Sequence, residues 1–117
     1  MPIQQWSREI LLLDMRDEPQ FSEDLQQVAE QLDDRPCDVV ANLAAVTQIS
    51  STGLGDLLQL RQRLVNDGRQ LRLCSVPDVV WSVMLVTSLD KVLDFSPDVS
   101  SALASLQLDK QTDAEEE

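Results

Sequence analysis

The chain has 117 residues, a size suited to one domain, and 43% of them are hydrophobic while 3% are aromatic, so a core must be built from Leu, Val, Ile and Ala. Lys and Arg number 9 against 21 Asp and Glu, a net charge of −12, which argues against nucleic acid or an anionic membrane as a partner held by a basic patch. The sequence contains no histidine, which excludes a Ser-His-Asp triad within the chain and any His-based metal site.

In chain order, Ile3, Gln4, Gln5 and Trp6 read as a short strand, and residues 10–15 as a second one rich in Leu. A turn over residues 16–19 follows. Phe21, Leu25, Val28, Ala29 and Leu32 then recur on one face of a helix, with Ser22 as the expected cap and Glu23 and Asp24 matching the dipole of the first turn. Asp33, Asp34, Arg35 and Pro36 break that helix, and residues 38–43 read as a buried strand, apolar on both faces. Leu54, Leu57, Leu58, Leu64 and Val65 mark a second helix over residues 54–66, ended by Asn66, Asp67 and a Gly68 suited to the left-handed conformation. Residues 71–75 form a further strand, and Pro77 opens a helix over residues 78–88 that carries Val79, Val80, Trp81, Met84 and Leu85. A short strand at residues 92–95 precedes a last helix, for which Ser96 is the expected cap and Pro97 the first position. Residues 108–117 carry a net −4, leave −8 on the body, and read as a solvated, disordered acidic tail on a domain spanning 1–107. The alternation of strands and helices predicts an α/β fold with a mostly parallel sheet of four to five strands covered by about four helices.

Between the strand at 38–43 and the helix at 54–66 lies Ser50-Ser51-Thr52-Gly53-Leu54-Gly55. Three hydroxyls in a row stand where a helix N-terminus begins, with unpaired N–H groups and partial positive charge. Such hydroxyls serve as caps, and a phosphate can also be held there. Elsewhere the chemistry is sparse. Gly53 and Gly55 are not followed by the third glycine of a dinucleotide fingerprint, and no Gly-x4-Gly-Lys-Ser/Thr loop exists. Asp14, Asp38, Asp56 and Asp94 flank apolar segments and read as solvated or cap-like carboxylates. Cys37 and Cys74 are too far apart for a local metal knuckle and read as reduced, buried small hydrophobes. No catalytic residue, metal ligand or cofactor site is assigned, and enzymatic activity is not expected. Trp81 and Met84 are expected in the core rather than on a helix that senses a partner. No apolar run approaches the ~20 residues of a membrane span and no secretory signal is visible, so a cytoplasmic protein is expected.

Residues 43–55, Leu-Ala-Ala-Val-Thr-Gln-Ile-Ser-Ser-Thr-Gly-Leu-Gly, resemble the STAS domain of bacterial anti-sigma factor antagonists. So does the order that follows: a helix, Gly68 through Cys74, then a helix over 79–89 before Asp90, Lys91 and Val92. The resemblance covers about residues 3–106 and is specific from Asp38 to Val92. It implies a single STAS-like domain whose first strand is antiparallel. It also implies partner switching: the unphosphorylated protein binds an anti-sigma factor that is a serine kinase of the GHKL ATPase type, phosphorylation breaks the complex, and a PP2C-type phosphatase restores it. The family's acceptor serine corresponds to Ser51, with Ser50 and Thr52 as alternatives. The implied partner-binding residues are Ser50, Ser51, Thr52, Gly53, Leu54 and Gly55. The family motif begins with Asp where this chain has Ser50. That departure leaves a second reading, a STAS scaffold or adaptor module that binds without a phosphate cycle.

Overall fold

The computed structural model describes residues 3–116, with side chains through residue 108. Its elements are β1 (Ile3–Ser7), β2 (Ile10–Asp14), α1 (Gln20–Asp34), β3 (Asp38–Asn42), α2 (Ser51–Asn66), β4 (Leu71–Cys74), α3 (Asp78–Val86), a 3-10 turn at Leu89–Lys91, β5 (Asp94–Ser96) and α4 (Val99–Glu116). The five strands form one sheet in the order β1-β2-β3-β4-β5. β1 pairs antiparallel with β2, and every later pair is parallel. The expected α/β fold, with an antiparallel first strand and four helices, is therefore present.

Strand alternation divides the core. Leu11 aligns with Val39 and Leu71, and Leu13 with Ala41 and Leu73. These residues share one cluster with Phe21, Leu25, Val28 and Leu32 of α1, Leu57, Leu60 and Leu64 of α2, and Val80 and Met84 of α3. Ile10, Val40 and Cys74 belong to the other face, where Ala102, Leu103 and Leu106 of α4 cover them. Because helices cover both faces, β3 is buried from Asp38 through Ala41. A fully buried aliphatic side chain such as Leu57 or Leu64 contributes about 1.5–3 kcal/mol by leaving water.

Several local expectations are corrected. α1 begins at Gln20, so Ser22 lies inside it; the Glu18 carboxylate accepts both the N–H and the hydroxyl of Ser22 at 2.7 Å and does the capping. Asp24 lies past the first turn, where only Glu23 is acidic, and is instead buried, its carboxylate accepting from the Arg16 guanidinium at 3.1–3.3 Å. α2 starts at Ser51 rather than Leu54, and Leu60 rather than the exposed Val65 faces the core. α3 stops at Val86, where the Thr87 hydroxyl donates to the Val83 carbonyl at 2.7 Å and Ser88 turns left-handed at φ 61°. The last strand falls at Asp94–Ser96, so Ser96 belongs to the sheet and cannot cap α4. Asp98 takes that role by accepting the Ser101 N–H at 2.8 Å, which holds its carboxyl below the usual range. Gly68 adopts φ +72° at the end of α2, as expected. The expected acidic tail falls on residues of which the backbone through Glu116 is described, and that backbone continues α4. We propose that the domain proper spans 1–107 and that 108–117 is an acidic extension of it.

Candidate functional site

The hydroxyl turn lies beyond the C-terminal end of β3, and its approach is tied down on both sides. The Asn42 amide donates to Asp14 at 3.1 Å, while its oxygen accepts the Ala44 N–H at 3.0 Å. The Leu43 N–H donates to the Cys74 carbonyl at 3.0 Å, and Val46 is buried. Next, the Asp17 carboxylate accepts the Thr47 N–H at 2.8 Å and the Thr47 hydroxyl at 2.6 Å. These bonds, the hydroxyl first, hold the Asp17 carboxyl below its usual range. Ile49 packs against the core, and the chain enters α2.

Ser50 is the N-cap. Its backbone is extended at φ −93°, ψ 164°, and its side-chain oxygen accepts the Gly53 N–H at 3.0 Å. Ser and Asp are about equally good at this position, so Ser50 caps as well as an aspartate there would. Ser51 and Thr52 are exposed in the first turn, and their hydroxyls have no hydrogen-bond partner among the described residues. The first turn of α2 contains no acidic residue, so its N-terminal N–H groups face no carboxylate of their own turn.

Gly53 is buried, and a Cβ there would stand 3.0 Å from the Phe21 ring and 3.4 Å from the Ser50 oxygen. The glycine lets the start of α2 close onto α1. Gly55 is different, since a Cβ there would meet nothing within 4 Å. Leu54 is half-buried against the core. The six expected binding residues thus divide into an exposed pair (Ser51, Thr52), a cap (Ser50), two packing positions (Gly53, Leu54) and an open one (Gly55).

The four acids singled out earlier do not converge. Asp14 holds Asn42, Asp94 is exposed on β5, and Asp56 lines a shallow cleft of about 250 Å³ between α1 and α2 with Arg63. Asp38 departs from expectation: it is 3% exposed and accepts the Gln70 N–H at 2.9 Å. Asp17 and Phe21, which shape the turn, carry no local signal because their partners lie about 30 residues away in sequence. Cys37 and Cys74 are free and buried, and burial pushes the Cys74 thiol up to about 11. Met84 is fully buried, and Trp81 meets Phe95 edge to face with ring centroids 5.0 Å apart. Among the described residues no group of three His, Cys, Asp or Glu is placed to hold a metal, and no helix is long and apolar enough to cross a membrane.

Comparison with solved structures finds the same architecture at low identity. A crystal structure of a candidate anti-sigma factor antagonist from Thermotoga maritima matches with a TM-score of 0.80 at 18% identity, covering 91% of this chain and 93% of that one. An anti-sigma-factor antagonist (STAS) domain protein from Planctomyces limnophilus matches at 0.69 with 19% identity, covering 90% and 97%. A serine-to-glutamate variant of RsbS from Moorella thermoacetica matches at 0.75 with 11% identity, covering 92% and 96%. None of the curated proteins matches this chain in sequence. The sequence model of the STAS domain matches residues 10–102, which includes every parallel strand, the hydroxyl turn and the start of α4. The chain belongs to the STAS domain family.

Proposed function

We propose that this STAS domain is an anti-sigma factor antagonist that works by partner switching. In this reading it binds an anti-sigma factor serine kinase of the GHKL ATPase type through the exposed start of α2. Phosphorylation of Ser51 releases the partner, and a PP2C-type phosphatase resets the cycle. The protein acts in the cytoplasm, without catalysis or a cofactor of its own. Solved relatives of the same fold described as anti-sigma factor antagonists support the general role.

The observation that carries the Ser51 assignment is the division of labour at the turn. Ser50 is committed to the cap, whereas the Ser51 hydroxyl is exposed and unbonded among the described residues. A phosphate adds about −1.5 to −2 charge at neutral pH. At the first position of α2, the dipole and free N–H groups accommodate that charge within the domain. Against a docked partner the same charge must be desolvated or meet the partner's acids, so the cost falls on the complex rather than on the fold.

The test combines peptide mass spectrometry on protein from its native cells with binding of the isolated kinase. One phosphate localised to Ser51, with Ser51→Asp binding far more weakly than Ser51→Ala, is the expected result. Phosphate on Thr52 moves the acceptor by one residue. Absence of phosphate in every growth condition, with Ser51→Asp binding as tightly as wild type, overturns the switch in favour of a constitutive adaptor.

A further inference from the structure

The pole of the sheet opposite the hydroxyl turn carries a second feature. The segments that lead into β2, β3 and β4 bring Arg8, Arg35 and Arg69 to one open cleft of about 570 Å³, shared with Ser7, Glu9 and Pro36. Since β2, β3 and β4 are parallel, all three segments lie at the N-terminal ends of the strands, whereas Ser51 follows the C-terminal end of β3. The length of β3 alone separates the two poles by about 16 Å.

Three of the chain's 9 cations meet here although acids outnumber cations 21 to 9. Two other arginines are paired: Arg16 with buried Asp24, and Arg63 with Asp33 at 2.6 Å and Asp67 at 3.5 Å. Arg8, Arg35 and Arg69 make no ion pair among the described residues. Glu9 is the one acid lining the cleft, so the lining side chains sum to +2. The backbone beneath is bolted together. Buried Asp38 donates its N–H to the Glu9 carbonyl at 2.7 Å and accepts the Gln70 N–H at 2.9 Å, while the Val39 N–H donates to the Gln70 carbonyl at 3.0 Å. One buried acid thus holds in register the three segments that present the arginines.

We propose that this cleft binds a small phosphate-bearing molecule with at least two phosphate groups. A guanidinium is a planar fork suited to bidentate contact with phosphate oxygens. Three forks on three separate segments around a cleft of about 570 Å³ offer donors and room for more than one phosphate, and the volume falls within the usual range for small-molecule sites, about 300–1,000 Å³. The net negative charge of the rest of the protein does not exclude this, because at physiological salt it is screened beyond about 8 Å. The site is independent of the switch proposed for Ser51, and both can be occupied together.

Titration of the full chain with inorganic pyrophosphate, followed by calorimetry and amide NMR shifts, tests the proposal. Saturable one-to-one binding is expected, with shifts centred on residues 7–9, 35–38 and 69–70. Each of Arg8→Ala, Arg35→Ala and Arg69→Ala should weaken it about three- to tenfold, with unchanged thermal unfolding, since each loses a charged hydrogen bond at the surface. Arg61→Ala, on α2 outside the cleft, should leave binding unchanged. Absence of saturable shifts up to about 10 mM pyrophosphate overturns the proposal. So does equal weakening by Arg61→Ala, which would mean diffuse attraction, or equally tight binding of citrate, which would mean a polycarboxylate site.

Discussion

The side-chain oxygen of Ser50 accepts the backbone N–H of Gly53 at 3.0 Å, closing the first turn of α2 while the adjacent Ser51 hydroxyl stays unbonded among the described residues. Neighbouring serines with the same chemistry therefore do different work. Ser50→Ala should lower stability by about 1 kcal/mol through loss of the cap, and Ser50→Asp should largely retain it. Ser51→Ala should fall within about 0.5 kcal/mol of wild type. Urea unfolding of the three variants decides the matter, and a larger cost at Ser51 than at Ser50 would reverse the assignment.

The two glycines of the turn should respond in opposite directions. A Cβ on Gly53 would press against the Phe21 ring at 3.0 Å, and Phe21 is itself buried in the core. Gly53→Ala is therefore expected to destabilise by about 1–3 kcal/mol, as overpacking in a core does. Gly55→Ala enters open space in a helix interior and should stabilise by about 0.4–1 kcal/mol. Thermal melts of both variants read the sign directly. In the double variant Gly53→Ala with Phe21→Leu, part of the Gly53→Ala penalty should disappear.

Asp17 predicts an acid-side effect. Its folded carboxyl lies below the usual carboxylate range, chiefly because of the Thr47 hydroxyl and N–H. A depressed folded value means that its contribution is fully present above the unfolded value and is lost as pH falls through the folded one. The melting-temperature gap between wild type and Asp17→Asn should thus be constant near neutrality and shrink once pH drops below about 4. Circular-dichroism melts from neutral to acid pH measure this, and a gap that widens on acidification would contradict it.

How much of this was legible in the sequence follows from the range of each interaction. The face of α1 through Phe21, Leu25, Val28 and Leu32 showed in the spacing, because helical periodicity is local. The buried character of β3 showed in its unbroken apolar run. Element ends were less legible. Ser22 and Ser96 have the right chemistry for caps, yet Glu18 and Asp98 perform those roles. The neighbouring fold decides whether a given serine falls inside a helix, at its start or in a strand.

Local chemistry written along the chain was enough to mark the order of strands and helices, the left-handed Gly68 and the hydroxyl turn before α2, since each depends on residues within a few positions of one another. The structure alone decided which serine caps, why Gly53 is tight against Phe21 when Gly55 is open, that Asp17 clamps Thr47, and that Asp38 gathers the segments bearing Arg8, Arg35 and Arg69. Those relationships join positions about 30 or more apart, or depend on where a helix begins. They arise only when parallel strands bring loops of distant sequence to a common end of the sheet.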